Sequence, residues 1–111
     1  MNETVSVVYK NERGFELIGD VYFTTAVTIS NQGMTLIKHF SSTVMMIDCR
    51  QLERVDHAFL PVCLAWHREA LKQQIKIQFI NVNSDIEKLF YLTGLSELIN
   101  MQINIKEENN G

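Results

Sequence analysis

Apolar positions along the chain switch between two spacings, alternating in some stretches and recurring every three or four residues in others. Residues 4–10 (TVSVVYK) and 15–23 (FELIGDVYF) are rich in β-branched and aromatic side chains, and Asn11, Glu12, Arg13 and Gly14 lie between them. Two strands joined by a short turn are predicted there. Residues 24–39 carry Ala26, Val27, Ile29, Met34 and Ile37 at loosely helical spacing. Threonines and Gly33 make this a poor helix on propensity alone. Residues 43–49 (TVMMIDC) form an apolar run without alternation. That is the mark of a strand covered on both faces and central in its sheet, with Asp48 at its end.

Residues 50–56 then read as a charged connector, followed by a helix over 57–74 with Leu60, Cys63, Leu64 and Leu71 near one face. Asp56 fits as its N-cap. Pro61 conflicts with that cap, because a proline beyond the first turn removes a backbone donor, so the helix either begins later or bends there. Residues 75–82 alternate Ile75, Ile77 and Phe79 with Lys76 and Gln78, which predicts a strand with one buried face. Ser84 and Glu87 fit a capping box for a further helix, with Ile86, Leu89 and Phe90 as its apolar stripe and Gly94 as its stop. A turn over 96–99, a last strand over 101–105 and a polar tail complete the chain. The order β-β-α-β-α-β-α-β predicts an α/β sandwich with a mixed sheet, in one domain spanning residues 1–111.

Composition narrows the function classes more than it names one. The chain has 111 residues, and its 10 basic against 13 acidic side chains give a net charge of −3, the wrong sign for a protein that grips phosphate backbones. The longest apolar run, residues 59–66, holds Pro61 and is far shorter than the roughly 20 residues needed to span a bilayer. The N-terminal MNETVSVVYK lacks the pattern of a signal peptide. A cytoplasmic location is expected, with Cys49 and Cys63 as reduced, buried, small apolar residues.

Searching the same sequence for chemistry turns up little. His39, His57 and His67 fall in different elements or on different faces, so no metal site is expected. Cys63 and His67, four apart, make too weak a pair for a nucleophile and base. The five glycines are scattered, and no phosphate-cradling loop or other cofactor site is present. Asp48, Glu53 and Asp56 are read as capping and solvated charges rather than an acid cluster. Phe59 and Trp66 are either core or partner-facing anchors, aromatic residues being enriched at interface hot spots. No catalytic residue is assigned.

The segment from residue 43 to residue 100 resembles the STAS domain, named for sulfate transporters and anti-sigma factor antagonists. The resemblance rests on Ile47-Asp48 closing a buried strand, on Arg54-Val55-Asp56 before a helix with Leu60 and Leu64, on Asn81-Val82, and on Gly94-Leu95-Ser96-Glu97-Leu98. It extends more weakly to residue 4 through Leu17-Ile18-Gly19-Asp20-Val21. It implies a STAS-type α/β sandwich whose mixed sheet of four to five strands is packed with helices. Among small stand-alone STAS proteins the chain looks closer to the subunit of the Mla phospholipid-transport ABC system than to the anti-sigma factor antagonists. The resemblance then implies a non-enzymatic protein that binds a transporter ATPase, and through it a membrane permease, and so supports outer-membrane lipid asymmetry. It implies neither nucleic-acid binding nor direct membrane insertion.

One position departs from the family. The residue after Asp56, usually Ser or Thr, is His57. A hydroxyl at this helix start would accept a phosphate that the helix N-terminus stabilises, and His57 has no hydroxyl. The kinase-switched exchange of anti-sigma antagonists therefore fits this chain less well, although binding to an anti-sigma kinase remains the alternative. The expected partner surface lies within residues 54–67 and comprises Arg54, Asp56, His57, Ala58, Phe59, Trp66 and His67.

Overall fold

The computed structural model describes residues 5–97 and 100–103. Five strands, β1 (Val5–Asn11), β2 (Gly14–Val21), β3 (Val44–Val55), β4 (Lys76–Val82) and β5 (Asn100–Ile103), form one sheet in the order β1-β2-β3-β4-β5. The β1–β2 hairpin is antiparallel and every later pairing is parallel, giving the mixed sheet expected. Helices α1 (Phe23–Lys38), α2 (Phe59–Lys72) and α3 (Ser84–Leu92) make the parallel crossovers, and a single 3-10 turn, Leu95–Glu97, leads to β5. Thr4, residues 98–99 of the expected turn, the last two residues of the expected final strand and the tail lie outside the described residues.

Strand alternation sends Phe15, Leu17, Met45, Ile47, Cys49, Ile77 and Phe79 to one face, where all are buried. The helices cover that face. Trp66 of α2 meets Phe15 edge-on at 5.4 Å, while Phe90 of α3 meets Phe79 edge-on at 5.8 Å and stacks on Phe59 of α2 at 6.1 Å. The opposite face carries Glu16, Ile18, Met46, Gln78 and Ile80, all partly exposed. This corrects the expectation that β3 is covered on both sides: Met46 lies on the open face, and its flexible apolar side chain made the run look continuous.

Two further boundaries differ from expectation for local reasons. The supposed connector 50–56 is mostly strand, because β3 runs on to Val55 with register shifts against β2 between Asp48 and Gln51 and between Leu52 and Val55. Each shift inserts an extra residue, which destroys the period of two by which a strand is recognised. Helix α2 begins at Phe59 rather than His57, so of the two ways to place Pro61 a later start is the one taken. Pro61 then lies in the first turn, where its missing N–H leaves no intrahelical bond unmade. The cap of α3 is likewise one residue early: the Asn83 side chain accepts a hydrogen bond from the Ile86 N–H at 2.9 Å, and Ser84 is the first helical residue.

The buried stripe of α2 is Phe59, Val62, Cys63, Trp66 and Ala70, and that of α1 is Ala26, Ile29, Gly33 and Ile37. Leu71 and Val27, expected on those faces, are exposed. Where the two helices cross, the Trp66 indole lies over Gly33, and its Nε1–H donates to the Ser30 carbonyl at 3.0 Å. A Cβ on Gly33 would sit 2.6 Å from Nε1 and closer still to Cε2 and Cζ2. The absent side chain at Gly33 is therefore what admits the indole. Cys49 and Cys63 are both buried and free, and burial pushes both thiols well above their usual range.

Candidate functional site

The C-terminal ends of β2 and β3 are adjacent, Val21 pairing with Val55, and each strand feeds a helix that starts beside the other. The Asp56 N–H donates to the Val21 carbonyl at 2.9 Å, which fixes the side chain between the two helix starts. Its Oδ1 accepts from the Ala58 N–H at 2.8 Å and its Oδ2 from the Phe23 N–H at 3.2 Å. One carboxylate thus meets free backbone donors at the positive ends of both α1 and α2, where a negative charge is favoured. Asp56 was expected as the N-cap of α2. It instead stands two residues before the capping position, which Ala58 holds with no side-chain cap bond.

Asp20 organises the neighbouring turn. Its Oδ1 accepts from the Arg54 N–H at 3.1 Å and its Oδ2 from the Tyr22 hydroxyl at 3.3 Å. Thr25 closes the first turn of α1: its Oγ1 accepts from the Tyr22 N–H and donates to the Tyr22 carbonyl, both at 3.1 Å. The outcome is a rigid ledge at one end of the molecule on which Arg54 and His57 are exposed and Asp56 and Ala58 are half-buried.

The seven residues expected to form a partner surface divide accordingly. Arg54, Asp56, His57 and Ala58 come together on the ledge. Phe59 and Trp66 are each 0% exposed, so they are core residues and present nothing to a partner; of the two roles open to them, packing is the one they fill. His67 is half-buried ten residues further along α2, where it lines a groove with Thr43, Leu71 and Lys76. At about 1.5 Å of rise per residue it stands roughly 12 Å along the axis from Phe59, the first residue of α2.

Sequence reasoning missed the contribution of α1 to this end. Phe23 was taken as the last residue of β2, in phase with buried Phe15, Leu17 and Val21, whereas β2 stops at Val21 and Phe23 opens α1. Phe23 is 71% exposed and Val27, one turn on, is 70% exposed. Thr25, three residues after Tyr22, was the available signal of a helix start.

Asp48, Glu53 and Asp56 do not converge, and among the described residues no group of three metal-ligating side chains exists. Asp48 is the only buried charge described. It sits on the open face of the sheet, taking the Lys10 ammonium at 2.9 Å, the Asn81 amide at 2.9 Å and the Arg50 N–H at 3.0 Å. Burial pushes its pKa up, but the hydrogen bonds from Asn81, Lys10 and Arg50 outweigh this and hold it below the usual carboxylate range. The same bond raises Lys10. Asn81 reaches Asp48 from a left-handed backbone (φ 58°) at a register shift in β4.

A family model described as Mlab, STAS domain matches residues 10–101. No curated protein sequence matches the chain significantly. Among solved structures, an anti-sigma factor antagonist from Mycobacterium paratuberculosis superposes with a TM-score of 0.77 at 14% identity, over 96% of this chain and 92% of that one. The Bacillus cell fate determinant SpoIIAA in its phosphorylated form gives a TM-score of 0.65 at 14% identity, over 96% and 98%. At such identities the likeness establishes the fold.

Proposed function

The chain belongs to the MlaB-type STAS domain family, and on that premise we propose that it is a non-enzymatic, cytoplasmic subunit of an ABC-type phospholipid transporter. It binds the transporter's ATPase, is held at the inner membrane through that partner and its permease, and supports the assembly or activity that maintains outer-membrane lipid asymmetry. STAS domains are regulatory binding modules, and no described helix here is long and apolar enough to cross a membrane.

The observation that carries the transporter reading over a phosphorylation switch is the ledge itself. His57 stands where the family usually has a hydroxyl, and the Asp56 carboxylate already takes one backbone donor at the start of α1 and one just before α2. An imidazole there leaves no hydroxyl to accept the phosphate. Arg54 and His57 are the exposed members of the expected surface, and with the half-buried Ala58 beside them they are the proposed contact.

The test is purification of the tagged chain from its native cells in mild detergent, with mass spectrometry of what accompanies it. Recovery of an ABC ATPase together with a membrane permease supports the reading. Recovery of an anti-sigma kinase without transporter components overturns it in favour of a regulator of that class.

A further inference from the structure

Strand β3 carries one residue more than β2 where the two reach the ledge. Gly19 pairs with Leu52 and Val21 with Val55, so Glu53 and Arg54 together oppose Asp20. Counted from buried Leu52, plain alternation would send Arg54 to the helix-covered face and Val55 to the open one. The bulge reverses this. Val55 packs against the core, while Glu53 and Arg54 are both exposed. Bulges commonly re-aim a side chain beside a functional site, and this one is what brings Arg54 to the surface.

An inserted residue also disrupts the ladder at that point. Asp20, the residue it is inserted against, supplies an acceptor from its own side chain: Oδ1 takes the Arg54 N–H at 3.1 Å, and the Tyr22 hydroxyl donates to Oδ2 at 3.3 Å. Both flanks of the bulge are fixed as well. On one side the Asn83 amide donates to the Leu52 carbonyl at 3.3 Å, and on the other the Asp56 N–H donates to the Val21 carbonyl at 2.9 Å.

We infer that Asp20 is a positioning residue of the ATPase contact: by accepting the Arg54 N–H it holds the bulge in the register that presents Arg54 beside His57. This rests on the reading of the chain as an ATPase-binding subunit whose contact includes Arg54. Asp20 acts as a hydrogen-bond acceptor rather than as a charge, and it reaches the partner only through Arg54.

The experiment uses the full chain and the ATPase subunit from the same cells, with affinity measured by calorimetry, folding checked by thermal melts, and exchange of the Arg54 amide followed by NMR in the unbound chain. Asp20→Ala should weaken binding by at least about fivefold and speed exchange of the Arg54 amide by about tenfold or more. Asp20→Asn, whose amide oxygen still accepts from the Arg54 N–H, should recover both. Arg54→Ala should weaken binding by about tenfold, and adding Asp20→Ala to it should cost less than about twofold more. Undiminished binding by folded Asp20→Ala, or the same loss from it with and without Arg54, overturns the positioning role. A loss with Asp20→Asn as large as with Asp20→Ala assigns the effect to charge and overturns it too, and this comparison against the parent decides alone if Asp20→Ala melts below the assay temperature. Full-strength binding by Arg54→Ala overturns the inference while leaving the subunit reading intact. Failure of the unmodified chain to bind the ATPase overturns the subunit reading itself.

Discussion

Replacing Gly33 by alanine sets two effects of known sign against each other. Alanine is the better helix former by about 1 kcal/mol, so on propensity Gly33→Ala should stabilise α1. Against this, the new methyl would occupy space filled by the Trp66 indole, 2.6 Å from Nε1 and nearer to two ring carbons. The indole cannot easily retreat, since Phe15 abuts it at 5.4 Å and its N–H is held by the Ser30 carbonyl at 3.0 Å. Overpacking of a filled core costs about 1–3 kcal/mol and sometimes more, and pulling Nε1 off Ser30 costs about 1 kcal/mol more. The net expectation is a loss of about 2 kcal/mol, a fall in Tm of roughly 8–12 °C for a chain of this size. Trp66 is the only tryptophan, so its fluorescence during urea unfolding reads both stability and the environment of the displaced ring. Shortening the partner in the same chain, with Trp66→Leu, should remove most of the penalty for Gly33→Ala in a double-mutant cycle. A Gly33→Ala protein as stable as the parent, with unchanged emission, would refute the packing argument.

Three other expectations follow from the polar groups. Asp56→Ala removes the acceptor for the N–H groups of Phe23 and Ala58 and should cost about 1–2 kcal/mol in urea unfolding, with Asp56→Asn recovering part of it. Asp48 has a lowered folded pKa, so its contribution is present above its unfolded value of about 4 and is lost as pH falls through the folded value. Lys10 has a raised one, so its contribution is present below its unfolded value and lost as pH rises through the folded value; Asp48→Asn should therefore flatten the acid limb of stability against pH, read as urea midpoints from neutral to acid pH. Finally, Asn81→Gly and Asn81→Ala both lose the bond to Asp48, but alanine must also hold the left-handed backbone and should be the less stable by about 1 kcal/mol in thermal melts.

Strand and helix order was legible in the sequence because most elements kept their period, and the family pattern around Asp48, Asp56 and Gly94 tied them to one fold. Legibility failed where a residue's neighbour lies far away in the chain. Gly33 read as a flaw in a helix because the indole that needs it is 33 residues further on. Residues 50–55 read as a connector because the register shifts in β3 are set by pairing with β2. Leu71 and Val27 read as core because a rotation of one residue about a helix axis moves a side chain by about 100°. At the candidate site, Arg54, Asp56 and His57 could be picked out from their place before a helix, whereas the part played by Phe23 depended on β2 ending two residues early.

The Asp48 carboxylate has a consequence for how the sheet can assemble incorrectly. Its neighbours Ile47 and Cys49 face the helices, and Asp48 faces the open side, where strands β1 and β4 supply Lys10 and Asn81. A slip of β3 by one position would exchange the two sets. It would drive the carboxylate in among Trp66, Phe79 and Phe90, stranding Lys10 and Asn81 on the other side. The penalty for burying such a charge is several kcal/mol, comparable with the whole stability of a small domain. One acidic residue thereby acts as a proofreading device for the central strand, ruling out the misthreaded sheets that an all-aliphatic strand at the same place would tolerate.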